Sequence, residues 1–189
     1  MNASALALLV LTLEPAAAPA EPPPALIVYL VGSGVIPLEV LPAAKATANR
    51  MFEAAGVRLE WRKGQPSHTS AEQPVVITFR SGTPYNLLPG ALARSQPFEG
   101  VHVTIFYDRV ALWSGPTAVL AHVMVHEITH MVQGTDWHSR EGDMKAVWTD
   151  ADYSRMYYKP LPFTAYDVTL IHAGLAARAR QRALASTLP

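Results

Sequence analysis

His126-Glu127-Ile128-Thr129-His130-Met131-Val132-Gln133-Gly134-Thr135-Asp136-Trp137-His138-Ser139 is the stretch on which the reading of this chain turns. Two histidines four residues apart fall on one face of a helix, one turn from each other, so both imidazoles can reach a single ion. Glu127 is adjacent to the first of them and points to the flank of that ion, where it can hold a water molecule. Gly134 suits the position just beyond a helix end. His138 follows eight residues after His130, far enough for the helix to stop and the chain to double back.

A catalytic zinc takes three protein ligands and keeps a position for water, and His138 is the candidate third ligand. His122 competes, because His122, His126 and His130 form a stripe at spacing four. The outer two lie about 12 Å apart along a straight helix, too far to share an ion with bonds of about 2 Å. Only the pair His126 and His130 encloses a glutamate and adjoins Gly134 and His138. His122 is left as a core histidine or a support behind a ligand. The chain has no cysteine, so any metal must be held by nitrogen and oxygen.

Working outward, Pro116 suits a first helical turn, and the helical pattern runs from there to Gln133. Upstream, Leu26 to Val31 reads as a buried strand, Leu41 to Ala55 as an amphipathic helix stopped by Gly56, and Val57 to Arg62 and Val75 to Phe79 as strands. Ser81 to Gly100 is rich in Pro and Gly and reads as irregular, with a short helical turn at Ala91 to Ser95. Val101 to Tyr107 alternates and forms the fourth strand. Thr149-Asp150-Ala151-Asp152 and Thr164-Ala165-Tyr166-Asp167 resemble capping boxes that open two C-terminal helices. Arg178, Arg180 and Arg182 near the end of the second read as a solvated face, and His68, His102 and His172 elsewhere as ordinary surface or strand residues. The order predicts an α+β domain with a mixed sheet of about four strands backed by helices.

The 189 residues are half apolar, and 15 basic residues balance 15 acidic ones. One globular domain of this size can bury a real core, and nothing in the charge pattern points to nucleic acid. Ala3 to Leu13 has the length of a signal-peptide core, with small residues at Ala16 to Ala20 for cleavage, although no Lys or Arg precedes it. The expectation is a signal at 1–20, a Pro-rich lead at 21–25, a single domain at 26–189, no membrane span, and a secreted or periplasmic protein.

His126-Glu127-x-x-His130-x-x-x-Gly134-x-x-x-His138, with Gly142-Asp143-Met144 and Trp148 after it, resembles the metzincin clan of zinc metalloproteases. It is similar in particular to short secreted bacterial proteins that carry a His-Glu-x-x-His-x-x-x-Gly-x-x-x-His-Ser run, then Gly-x-Met and Trp. The resemblance is best over Val101 to Trp148. Metzincins proper have two residues, not three, in each gap around the glycine. The resemblance implies a zincin-like fold, one Zn²⁺ on His126, His130 and His138, Glu127 as general base, and Met144 in a turn beneath the metal. It also implies a peptide or protein substrate, which could pair with an exposed strand edge; Val101, Val103 and Ile105 are the candidates. Other readings are a non-catalytic zinc- or peptide-binding module of the same fold, and a di-iron site, which lacks its second Glu-x-x-His.

Overall fold

The computed structural model describes residues 23–67 and 73–187. The proposed signal, the first residues of the Pro-rich lead and His68 lie outside them. Five strands form one sheet: β1 (Ala25–Val31), β2 (Arg58–Lys63), β3 (Val75–Arg80), β4 (Ala93–Ser95) and β5 (His102–Phe106), in the order β2-β1-β3-β5-β4. The first four in that order run parallel, and β4 is antiparallel to β5.

Two sequence expectations are corrected here. The sheet has five strands, because Ala93–Ser95 is a strand and not a helical turn; Ala93 pairs with Ile105 and Ser95 with Val103. Three residues among prolines and glycines are too few to show a period in sequence, and only the partner strand reveals them. It follows that β5 has no free edge. Val103 and Ile105 are buried between β3 and β4, so the exposed edge nearest the histidine helix is β4. Tyr107 leaves the strand and opens the short helix α2 (Tyr107–Val110).

Alternate residues of β1 are buried, with Leu26, Val28 and Leu30 on the core face and Ile27 and Tyr29 half-exposed. Helix α1 (Val40–Ala54) and helix α3 (Pro116–Gln133) pack on the core face and on each other. Helix α3 is apolar nearly all round, and Val119 to Val125 and Ile128 to Val132 are buried. Such a helix belongs at the centre of a domain. Both capping boxes form, at Thr149 with Asp152 for α4 (Asp150–Met156) and at Thr164 with Asp167 for α5 (Ala165–Ser186).

Helix α5 crosses the end of α3 at Gly174, where a Cβ would meet the Val132 carbonyl oxygen at 1.9 Å. The closeness of that crossing explains a glycine inside a long helix. Arg178 then departs from its expected solvated role. It is buried, and its guanidinium donates to the carbonyl oxygens of Gln73, Gly100 and Met131 at 2.8, 2.5 and 2.6 Å. One side chain thus ties α5 to the last turns of α3 and to the segments leading into β3 and β5. Among the described residues no helix is long and apolar enough to cross a membrane.

Candidate metal centre

Helix α3 ends where expected: Gly134 takes the left-handed conformation (φ 65°), and its N–H donates to the His130 carbonyl. The turn that follows brings His138 back over the helix. Nitrogen atoms of His126, His130 and His138 all lie within 4.8 Å of one another. The ring centres are 4.7, 5.3 and 4.8 Å apart. Three imidazoles on one helix and its returning loop could therefore hold one metal ion. The extra residue in each gap around Gly134 does not prevent the three histidines from converging.

Two of the imidazoles have a fixed orientation. His126 Nδ1 donates to the Asp143 carbonyl and His130 Nδ1 to the Thr135 carbonyl, each at 2.9 Å. With the proton on Nδ1, each ring presents the lone pair of Nε2. The two Nε2 atoms face each other at 3.0 Å. Neither neutral ring has a proton to place between them, so the contact calls for a cation. A proton suits poorly, because burial pushes both imidazoles down to about 4. All-nitrogen donors at this spacing match the chemistry of a zinc-type ion.

Glu127 lies beside the cluster with a buried carboxylate. The Ser95 side chain on β4 lies near enough to act on it, and Oε2 has no hydrogen-bond partner. Burial raises its pKa, while Ser95 and the nearby His130 and His138 pull it back. Ser95 was not marked by any sequence pattern, since its role depends on the edge strand reaching the helix.

The segment after His138 closes the site from below. Gly142 has φ 76°, and a Cβ there would lie 2.2 Å from the Pro162 carbonyl oxygen, so only glycine fits this turn. Met144 is fully buried. The Asp143 carbonyl accepts from both His126 and Trp148, whose ring lies edge-on to His126 at 5.5 Å. The Asp143 carboxyl is buried with neither oxygen partnered, and burial, with Asp167 and Glu127 adding to it, raises its pKa well above the usual range. Thr129 hydrogen-bonds back to the Val125 carbonyl at 2.7 Å.

His122 is a core histidine. It is fully buried, donates from Nδ1 to the Ala118 carbonyl at 2.7 Å and accepts the Leu161 N–H on Nε2 at 3.0 Å. Both nitrogens are used, and it supports the site through Trp148, to which it lies edge-on.

Fold and histidine cluster together define an α+β domain of zincin-like architecture. Among solved structures it is similar to archaemetzincin from Methanopyrus kandleri, with a TM-score of 0.55 and 13% identity over 84% of this chain and 98% of that one. No protein-family model matches the chain, and no curated protein matches it in sequence.

Proposed function

We propose that the protein is a secreted zinc-dependent metallopeptidase, with His126, His130 and His138 as the zinc ligands and Glu127 as general base. The observation that carries this reading is the pair of Nε2 lone pairs facing each other at 3.0 Å, with His138 converging on them and a buried carboxylate alongside. Zinc held there would acidify a water molecule and polarise a substrate carbonyl. Glu127 Oε2, which has no partner, is the oxygen free to take a proton from that water and hand it to the departing amine. Ser95 on β4 lies beside this carboxylate and tempers its raised proton affinity. The raised proton affinity of the buried carboxylate suits both halves of the transfer. An extended peptide would add to the β4 edge at Ala93–Ser95, which lies next to Glu127. An address outside the cytoplasm is supported by the apolar run from Ala3 to Leu13.

Glu127→Gln tests the role of the base. Hydrolysis should fall by at least a hundredfold, while zinc content measured by atomic absorption stays at one ion per chain. A variant that cleaves peptides as fast as the parent would remove Glu127 from the mechanism.

A further inference from the structure

The three histidines are not held alike. His126 and His130 each have Nδ1 tied to a backbone carbonyl, but the His138 ring has no hydrogen bond among the described residues. Metal-binding histidines are ordinarily oriented through the nitrogen that does not bind the metal. Something else must therefore keep His138 over the site.

Its neighbour Ser139 is fixed at two points. The Ser139 N–H donates to the Met144 carbonyl at 2.8 Å, which closes the loop carrying Asp143. The Ser139 hydroxyl donates to Asp167 Oδ1 at 2.6 Å. Asp167 is fully buried, and its Oδ2 accepts the backbone N–H and the hydroxyl of Thr164 at 2.8 and 2.7 Å. The carboxylate that caps α5 therefore also grips the chain one residue beyond the third histidine. Helix α5 is in turn anchored on α3 through Gly174 and Arg178. The Asp167 carboxylate is near enough to raise the proton affinity of His126 slightly, against the larger effect of burial.

We infer that Asp167, through the Ser139 hydroxyl, is the positioning residue for His138, so that the cap of α5 sets the geometry of the third metal ligand. This rests on the zinc reading given above. Ser139→Ala removes the hydroxyl and leaves the capping box, the Ser139 N–H bond and all three histidines in place. Ser139→Thr keeps the hydroxyl.

Zinc affinity of the purified full chain, measured by competition with a chromophoric chelator, should fall about tenfold in Ser139→Ala, as is typical for partners of metal ligands. The visible absorption bands of the Co²⁺-loaded protein, which report ligand geometry, should shift in the same variant. Ser139→Thr should restore both. Parental affinity and an unchanged Co²⁺ spectrum in Ser139→Ala would overturn the inference. So would a loss that Ser139→Thr does not restore, since that would place the effect in packing and not in the hydroxyl. A parent chain that binds no zinc would instead overturn the zinc reading itself. Neither readout depends on peptide cleavage.

Discussion

His126 and His130 show how burial and a backbone carbonyl decide what an imidazole can do. A histidine ordinarily titrates near 6.5, whereas both of these are pushed down to about 4, chiefly by burial. Their folded pKa lies below the unfolded one, so their contribution to stability is complete above about 6.5 and is lost as pH falls towards 4. Glu127 and Asp143, with raised pKa values, act in the opposite direction, so the effect is best read at the rings themselves. In the metal-free protein at pH 6, both rings should be neutral with the proton on Nδ1. Nitrogen-15 chemical shifts of the imidazoles measure this; rings that titrate near 6.5, or that carry the proton on Nε2, would contradict the arrangement. Above pH 5 the two nitrogens are then open to a metal without a proton to displace.

At the scale of elements, α3 is the part whose limits the sequence made plain. Pro116 and Gly134 bound it, and its histidines fall on the expected side because helix geometry alone places residues four apart on one face. The two capping boxes were also legible, since each is a contact between residues three apart. What could not be read depends on contacts distant in sequence. β4 exists only by pairing with β5, and the free edge moves from β5 to β4 as a result. Ser95 reaches Glu127, and Ser139 reaches Asp167, only once the sheet and α5 are in place. Arg178 is the sharpest case, because a basic run at a helix end normally lies in water. Here the carbonyls of Gln73, Gly100 and Met131 turn it inward by accepting from its guanidinium. Arg178→Met keeps much of the side-chain volume and removes every donor. Each buried carbonyl left unpaired costs about 1–3 kcal/mol, so urea unfolding should show a loss on the order of 3 kcal/mol. A change within 0.5 kcal/mol, the usual range for an exposed position, would show that Arg178 does not tie these segments together.

For the molecule as a whole, a mixed sheet, a central apolar helix and a C-terminal helix anchored across its end serve to fix one cluster of three imidazoles and a carboxylate. The α+β class and the helices that back the sheet followed from periodicity, and the convergence of His126, His130 and His138 is the point at which fold and chemistry meet. The central claim is that this cluster makes the chain a zinc-dependent peptidase. Cleavage of a random peptide library by the purified protein, with and without a strong chelator, tests it most directly. The expected result is cleavage that the chelator abolishes and added Zn²⁺ restores. Cleavage that continues undiminished in chelator, or a zinc-loaded protein that cuts no peptide in the library, would contradict it.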